Sequence, residues 1–358
     1  MSSLPKKPKT VFVGMSGGVD SSVTAVLLKN AGYHVVGVYM KNWSKDLPGM
    51  KCPWAEDLAD AKRVATKLDI DFRIFDFETE YHAKVVDYMI EEFRKGNTPN
   101  PDVMCNQEIK FKLFYDIAMS RGADFIATGH YAVSEDGNLK LATDTNKDQT
   151  YFLYRISDEA ISRTLFPLGK MLKPEVKQLA AEFGLDNAYK KESMGVCFVG
   201  EVGIKDFLQE YIEVTPGQII DRDTNEVLGT HEGAVFYTIG QRHGLNLGGG
   251  LPYYVVGKDM TKNQVFVSKN LNHLNLWTKT LKLKDVIIRQ IHQESGNIQP
   301  NLSELTCRVR HRAPLINCSF NAETNEVVLA EEIKHPAAGQ SVVFYAGDVC
   351  IGGGIIAE

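Results

Sequence analysis

A glycine-rich turn between a strand-like and a helix-like run is the feature that most constrains the fold of this 358-residue chain. The turn spans Gly14–Ser22 and reads G-M-S-G-G-V-D-S-S. The apolar run Thr10–Val13 precedes it, and Val23–Leu28 follows it with helical periodicity. Glycines let the backbone turn tightly beside an anion, and the N–H groups at a helix start point toward that anion. The sequence therefore predicts a phosphate-binding turn.

Asp20 is the unexpected residue of this turn, because a carboxylate beside a phosphate repels it unless a cation lies between them. We therefore expect a Mg²⁺ ion that bridges Asp20 and a pyrophosphate group. The hydroxyls of Ser21 and Ser22 can donate hydrogen bonds near the same helix start.

Two common phosphate motifs are excluded, since the turn contains neither G-K-[ST] nor G-x-G-x-x-G. The string S-G-G-V-D-S resembles instead the PP-loop of the N-type ATP pyrophosphatases. Those enzymes cleave ATP to AMP and pyrophosphate while they adenylate a carbonyl oxygen. The resemblance at this turn implies a reaction type but no substrate.

Composition and length limit the class of protein. The length indicates two or three domains of about 100–200 residues each. Because 40 Lys and Arg stand against 45 Asp and Glu, the net charge is −5, and any nucleic acid must bind at a local basic surface. No apolar run approaches the ~20 residues of a membrane span, and the first nine residues lack the apolar core of a signal peptide. We expect no membrane contact, a disordered lead over residues 1–9 and a cytoplasmic location.

Strand-like and helix-like runs alternate after the turn, which predicts an α/β domain with a doubly wound parallel sheet. Strands are predicted at Val35–Met40, Phe72–Phe77 and Ala123–Thr128, and helices at Ala55–Leu68, Tyr81–Lys95, Ile109–Arg121 and Lys173–Phe183. Asn97–Asn106, with two prolines and three asparagines, is predicted to be a rigid loop. Ligands of such sheets bind beyond the carboxyl ends of the strands. Met40 is thus a candidate wall for an adenine ring, and core packing explains it equally well.

From Thr215 onward, helical periodicity gives way to short alternating runs with turn residues between them. The predicted domains are an ATP-binding catalytic domain at 10–214, a small β-rich domain at 215–279 and a C-terminal β-barrel at 280–358. Strands of the middle domain are predicted at Gln218–Ile220, Val227–Gly229, Ala234–Thr238, Tyr253–Val256 and Val265–Ser268. Barrel strands are predicted at Leu281–Ile288, Leu305–Arg310, Cys318–Phe320, Glu326–Leu329, Ser341–Tyr345 and Cys350–Ile356.

Six cysteines in a chain expected inside the cell indicate reactive or packed thiols rather than a disulfide framework. Cys105 and Cys197 lie in segments predicted as loops at the ligand-binding end of the sheet. From the residues alone, both reactive thiols and small buried hydrophobic residues stay open as interpretations. Neither belongs to a C-x-x-C pair, which argues against zinc. Cys307, Cys318 and Cys350 lie in predicted strands and are predicted to be packing residues, and Cys52, just before a predicted helix, is not expected to be functional.

Strings spread along the chain together resemble the bacterial tRNA-specific 2-thiouridylases. They are the glycine-rich turn, N-P-D-V-M-C-N, A-T-G-H-Y-A, D-Q-T-Y-F-L, G-V-C-F-V-G-E, Y-T-I-G-Q-R-H-G-L, and G-Q-S-V-V-F-Y with G-G-G-I-I. They run in a consistent order from Val11 to the C-terminus. The resemblance implies an enzyme that uses ATP to replace the C2 oxygen of the wobble uridine of tRNA with sulfur, releasing AMP and pyrophosphate through an adenylated base.

The resemblance also implies roles for individual residues. Cys197 matches the cysteine that carries a persulfide, Cys105 matches the nucleophile, and Asp102 matches the proposed general acid or base. The residues matched to ATP are Gly14, Met15, Ser16, Gly17, Gly18, Val19, Asp20, Ser21, Met40 and Gly129. The residues matched to tRNA are Asn100, Pro101, Asp102, His130, Asp148, Gln149, Thr150, Arg310, His311 and Gln340. A Cys105–Cys197 disulfide that must be reduced, a persulfide donor protein and a monomeric enzyme are implied as well.

A basic run in the C-terminal block is separate sequence evidence for binding of a nucleic-acid substrate. Its members are Arg308, Arg310, His311 and Arg312, with Lys279, Lys282 and Lys284 nearby. In an acidic protein, such a cluster predicts a phosphate-binding surface. The family more often has R-Y-R where this chain has R-H-R, and a histidine at that position can still stack on a base or contact a phosphate.

Three alternatives stay open from the sequence. A PP-loop synthetase that adenylates a small molecule would explain the turn, but neither the two cysteines nor the β domains. A sulfur carrier or tRNA-binding protein without turnover would form no AMP from ATP and tRNA. A thiolase with an iron–sulfur cluster would need three suitably spaced cysteines, and such a set is not evident.

Overall fold

The computed structural model describes residues 7–46, 52–190, 204–248, 251–270 and 277–357. These parts contain a five-stranded, a four-stranded and an eight-stranded sheet. None of the helices in the described ranges has the length and apolarity that crossing a bilayer requires. Part of the predicted disordered lead is described, and there the Lys9 carbonyl accepts a hydrogen bond from the His34 N–H at 2.9 Å.

The first sheet is parallel throughout and has the order β3-β2-β1-β4-β7. Its strands are β1 Thr10–Gly14, β2 His34–Lys41, β3 Asp71–Asp76, β4 Phe125–Ala127 and β7 Thr164–Leu165. In the central strand, Phe12 faces one buried cluster while Val11 and Val13 face the other, as the two-residue period of a strand requires. The predicted doubly wound α/β domain is confirmed.

Helices cover both faces of this sheet. They are α1 Val19–Asn30, α2 Trp54–Lys67, α3 Glu78–Tyr81, α4 Asp87–Arg94, α5 Pro101–Met104, α6 Phe114–Ser120, α7 Thr150–Leu153, α8 Asp158–Ser162, α9 Lys173–Glu182 and α10 Ile204–Gln209. A π-helical segment, His82–Val86, joins α3 to α4, and a second, Cys105–Leu113, joins α5 to α6.

The prediction of a rigid loop at Asn97–Asn106 is wrong for its second half, which is helical. Asn100 is the N-cap of α5, because its side-chain oxygen accepts a hydrogen bond from the Val103 N–H at 3.4 Å. Pro101 follows at the first helical position, where the missing N–H of proline costs nothing. The pair Asn-Pro is therefore a helix start here, and the helix continues through Cys105 to Ser120.

The middle domain is the four-stranded sheet, in the order β10-β11-β8-β9. Its strands are β8 Gly217–Asp221, β9 Val227–His231, β10 Tyr254–Asp259 and β11 Gln264–Ser268. The strand predicted at Ala234–Thr238 is wrong, since Ala234–Phe236 forms a 3₁₀ turn. Ala234 and Val235 are both buried, which successive residues of a half-exposed strand cannot achieve.

The C-terminal domain is a closed six-stranded barrel, as predicted. Its strands are β12 Trp277–Ile288, β13 Leu305–Arg308, β14 Ile316–Asn321, β15 Glu326–Lys334, β16 Ser341–Ala346 and β17 Val349–Ile356. The pairing of β12 with β17 closes it. A hairpin of the first domain, β5 Val133–Glu135 with β6 Asn138–Lys140, extends the barrel sheet through the pair Val349 and Lys140. This hairpin was not predicted, and it ties the barrel to the catalytic domain.

Candidate active site

The glycine-rich turn lies at the carboxyl end of the central strand β1, where ligands of such sheets bind. Gly129, just after β4, approaches the start of α1 so closely that a Cβ there would lie 2.7 Å from the Ser21 nitrogen. A Cβ on Gly14 would lie 2.9 Å from the Met40 methyl group. The structure thus brings together three separated positions of the predicted nucleotide site, namely the turn, Met40 and Gly129.

Hydrogen bonds within the turn fix its shape. The hydroxyls of Ser21 and Ser22 both donate to the Gly18 carbonyl, at 3.1 and 2.9 Å, so an anion is left to the backbone N–H groups of the helix start. The buried Asn187 amide donates to the Gly17 carbonyl and to the Ser22 hydroxyl, at 2.9 Å each. Sequence reasoning missed Asn187, because nothing in its local sequence marks a residue that acts 170 positions away.

Asp20 already has a cation beside it. The Lys173 ammonium donates to Asp20 Oδ1 at 2.6 Å, and the Tyr131 hydroxyl donates to the same oxygen at 3.1 Å. Asp20 Oδ2 has no hydrogen-bond partner among the described residues. Since Mg²⁺ is usually bound through one or two carboxylates together with substrate phosphates and water, this free oxygen fits the predicted ion. No cluster of three acidic, histidine or cysteine side chains occurs within the described ranges, so such an ion would depend on the phosphates.

The helix that begins at Pro101 runs past the turn and carries the predicted reactive groups. Near the turn, the Phe114 ring lies 3.8 Å from the position of a Cβ on Gly14, and the Phe111 ring centroid is 5.7 Å from that of His130. Cys105 lies nine residues before Phe114, at the first residue of the π-helical segment. Cys105 is only 2% exposed, in a helix and not in a loop as predicted. A buried thiol must be uncovered before it can react.

Burial and the charge of Lys110 shift the pKa values of two predicted site residues, Asp102 and His130. Burial raises the pKa of the Asp102 carboxyl, and the Lys110 ammonium opposes that rise. Burial and the same ammonium lower the pKa of His130 well below its usual value, and His130 Nδ1 lies 2.8 Å from the Thr128 hydroxyl. His130 is therefore neutral at pH 7, and Asp102 holds a proton closer to neutrality than an ordinary aspartate does, which suits a general acid. Lys110 was not predicted from the sequence.

Comparisons with known proteins decide the family. Residues 9–201 match the description "tRNA methyl transferase HUP domain", 205–269 match "tRNA methyl transferase PRC-barrel domain", and 283–356 match "Aminomethyltransferase beta-barrel domain". The tRNA-specific 2-thiouridylase MnmA of Listeria welshimeri is 46% identical in an alignment of 354 positions that covers 97% of this chain and 94% of that protein. The MnmA of Idiomarina loihiensis is 45% identical in an alignment of 363 positions that covers 98% of this chain and 96% of that protein. This chain belongs to the tRNA-specific 2-thiouridylase family.

It is therefore an enzyme, a tRNA sulfurtransferase, and the alternatives of a small-molecule synthetase and a carrier without turnover are set aside. Among solved structures, a 4-thiouridine synthetase–RNA complex with bound ATP aligns at a TM-score of 0.36 and 17% identity, covering 56% of this chain and 50% of that one. The NMN synthetase of Francisella tularensis aligns at 0.33 and 16%, covering 52% and 67%.

In this 2-thiouridylase, the residues predicted to contact tRNA fall into two groups. Arg310 is exposed on the barrel, and the others of the first group are partly exposed: Asn100, Asp102, His130, Gln149, His311 and Gln340. Burial and neighbouring cations lower the pKa of His311 to about 4, so its ring is uncharged at neutral pH. Its ring centroid lies 4.5 Å from that of Phe152. His311 is thus arranged for stacking rather than for a charged contact with phosphate.

The second group is buried in the structure without tRNA. Asp148 is 1% exposed and accepts hydrogen bonds from the Ala142 N–H, the Thr150 hydroxyl and Arg308, at 2.8, 2.7 and 2.9 Å. Pro101 and Thr150 are buried as well, and the contacts of these three residues with tRNA stay predictions. Arg308 is not part of the exposed basic surface that the sequence predicts, because its side chain is buried against Asp148.

Of the six cysteines, Cys197 lies outside the described residues, so its distance from Cys105 stays untested. The five others, Cys52, Cys105, Cys307, Cys318 and Cys350, are buried. Cys52 contacts the Trp43 carbonyl at 3.8 Å.

Proposed function

We propose that the enzyme activates the C2 oxygen of the wobble uridine with ATP and then replaces that oxygen with sulfur carried as a persulfide on Cys197. The observation that supports this most directly is the helix that begins at Pro101. It carries Asp102 and Cys105 three residues apart, on one face, and it passes the PP-loop at Phe114. One element thus connects the nucleotide pocket with the groups that would handle proton and sulfur.

The first step forms an adenylated base. The C2 oxygen attacks the α-phosphorus of ATP, and the bond to pyrophosphate breaks. The N–H groups at the start of α1 hold the phosphates, and the Lys173–Asp20 pair adds a fixed dipole beside them. A Mg²⁺ ion held by Asp20 and the phosphates would supply charge neutralisation on the leaving pyrophosphate. Asp102, with its raised pKa, can supply or accept a proton at the base.

The second step moves one sulfur atom. In one route the terminal persulfide sulfur attacks C2, AMP leaves, and the Cys105 thiolate then attacks the Cys197 sulfur, releasing the thiouridine. In the other route the Cys105 thiolate first cleaves the persulfide, and the released hydrosulfide attacks C2 and expels AMP. Both routes end with a Cys105–Cys197 disulfide, which a two-electron thiol reductant must open.

The substrate fits a buried site of this kind. The wobble base lies in a single-stranded loop, where turning it out of the stack costs at most a few kcal/mol. Arg310 and Arg312 remain exposed on the barrel for backbone phosphates. A persulfide donor protein as partner, a monomeric enzyme and a cytoplasmic location belong to the same proposal. Mass spectrometry of tRNA nucleosides, after incubation with ATP and a persulfide donor, tests it; an absence of 2-thiouridine would refute it.

Asp20 is predicted to serve the adenylation step. We expect Asp20→Ala to lower the release of AMP and pyrophosphate by about 100-fold, because the nucleotide pocket loses a fixed charge and a possible ion ligand. Persulfide loading of the protein should not change. Asp116→Ala, an exposed carboxylate on α6, is the matched control. Unchanged pyrophosphate release in Asp20→Ala would remove Asp20 from the site.

Cys197 is predicted to receive the incoming sulfur. With a donor carrying radioactive sulfur, the wild-type protein should become labelled in a form that dithiothreitol removes, and Cys197→Ser should show only background label. Cys52→Ser, which alters a buried thiol of the catalytic domain, should keep the label. A labelled Cys197→Ser protein would assign the persulfide to another cysteine.

A further inference from the structure

The segment 92–98 contains the last three residues of α4 and the chain that leads from it toward the helix carrying Asp102 and Cys105. Both β domains contact this segment. Within the segment, the Asn97 amide donates to Glu92 at 2.8 Å. On the barrel side, Lys284 of β12 lies 3.4 Å from the same Glu92 carboxylate. The segment is thus a meeting point of three domains, immediately before the proposed reactive helix.

The middle domain contacts this segment through three side chains. The Lys258 ammonium donates to the Gly96 carbonyl at 2.6 Å, just past the end of α4, where a helix dipole favours a cation. Met260 lies against Gly96, 3.0 Å from the position of a Cβ there. The hydroxyls of Thr238 and Thr98 lie 3.2 Å apart.

Lys258 is unusual because it forms no ion pair with any described residue. Burial lowers the pKa of its ammonium to about 8. A desolvated cation without a carboxylate is unfavourable for stability alone, and an apolar side chain would fill the same space without that cost. What Lys258 adds is a directed hydrogen bond to the backbone of the segment.

The barrel holds the next residues of the segment through Thr98. The Thr98 N–H donates to the Ala338 carbonyl at 2.8 Å, and the Gln340 amide donates to the Thr98 carbonyl at 2.6 Å. Gly339 has φ +90° and lies so close that a Cβ would be 3.0 Å from the Thr98 carbonyl oxygen. Both backbone polar groups and the hydroxyl of Thr98 are therefore bonded to the β domains.

Thr98 stands two residues before Asn100, the N-cap of α5, so its position sets where the helix starts. A displacement of about 1 Å at a reacting group can cost about 100-fold in rate. We propose that the two β domains position the helix bearing Asp102 and Cys105 through this clamp on residues 96–98, and that Lys258 is a positioning residue for sulfur transfer. The inference rests on the proposed roles of Asp102 and Cys105.

The test compares Lys258→Met with Lys262→Met, a control in the same domain whose side chain is 71% exposed. The first measurement is the alkylation rate of each cysteine by iodoacetamide, followed by peptide mass spectrometry. In Lys258→Met we expect Cys105 to react about tenfold faster, while Cys52, Cys307 and Cys350 react at wild-type rates. The second measurement is single-turnover thiolation, for which we expect about a tenfold lower rate and a tRNA dissociation constant within twofold. Lys262→Met should match the wild type in both.

Two results would overturn the proposal. Unchanged alkylation of Cys105 would mean that Lys258 does not hold the helix, and faster alkylation of all the buried cysteines would mean a general loss of structure. If Lys258→Met does not fold, Thr238→Val removes a single hydroxyl contact and should give the same selective effect on Cys105 at smaller amplitude; its absence would also refute the clamp. If the wild type fails to thiolate tRNA, the proposed function fails, while the alkylation comparison still decides on the clamp.

Discussion

Cys105→Ser is expected to lower the rate of tRNA thiolation by about 1,000-fold or more, while the tRNA dissociation constant changes by less than twofold. The reason is chemical: a serine hydroxyl stays protonated near neutral pH and cannot cleave a persulfide to form a disulfide. The change replaces one atom of a side chain that is 2% exposed, so the surface offered to tRNA is unaltered.

The measurement is the 2-thiouridine content of tRNA after a single turnover with persulfide-loaded enzyme. Cys52→Ser is the matched control, since Cys52 is also a buried cysteine of the catalytic domain and a serine can keep its contact with the Trp43 carbonyl. Thiouridine formed at the control rate by Cys105→Ser would show that Cys105 is not the nucleophile.

The same variant separates the two routes of sulfur transfer. If the persulfide attacks C2 directly, Cys105→Ser should accumulate tRNA linked to Cys197 through a disulfide, and dithiothreitol should release that tRNA as the thiolated product. If hydrosulfide is the attacking species, no linked tRNA should form, because its release requires the Cys105 thiolate. Denaturing gels with and without reductant distinguish the two outcomes.

The helices and strands that the sequence predicts correctly are those specified by local patterns of glycine and hydrophobic residues. Gly14–Ser22, with an apolar run on each side, was sufficient to predict β1, α1 and the parallel sheet, because glycine turns and hydrophobic periods act within a few residues. The strands of the barrel were predicted by the same alternation. The one serious local error, at Asn97–Asn106, arose because asparagine and proline favour turns and helix starts equally, and only the hydrogen bond from Val103 to Asn100 distinguishes them.

The parts that could not be predicted depend on contacts between distant residues. Lys173 meets Asp20 across 153 positions, and Arg308 meets Asp148 across 160. Neither pair has a spacing that a sequence pattern could reveal. The hairpin at Val133–Glu135 was missed for the same reason, since its polar sequence becomes a sheet edge only by pairing with the barrel. Arg308, which the sequence placed in a charged surface for phosphate, is instead an internal support buried against Asp148.

A substitution at Asp148 tests how much such a buried contact contributes to stability, because the Asp148 carboxylate accepts three hydrogen bonds. Asp148→Ala would leave the buried Ala142 N–H and Arg308 without their acceptor, and the Thr150 hydroxyl with only the Tyr345 hydroxyl, 3.0 Å away. Unpaired buried donors cost about 1–3 kcal/mol each, and breaking a buried ion pair costs about 3–5 kcal/mol. We expect the free energy of unfolding in urea to fall by about 3–5 kcal/mol.

The comparison variants identify the cause of this loss. Burial raises the pKa of the Asp148 carboxyl, while the hydrogen bonds from Thr150 and Ala142 and the charge of Arg308 oppose that rise. Asp148→Asn, which keeps one acceptor, should therefore lose less than Asp148→Ala. Adding Arg308→Met to Asp148→Ala should recover part of the loss, because the buried cation is gone. Glu232→Ala, which breaks the exposed pair with Lys205, should cost at most about 1 kcal/mol. If Asp148→Ala lost no more than Glu232→Ala, Asp148 would not be the support that joins the barrel to the catalytic domain.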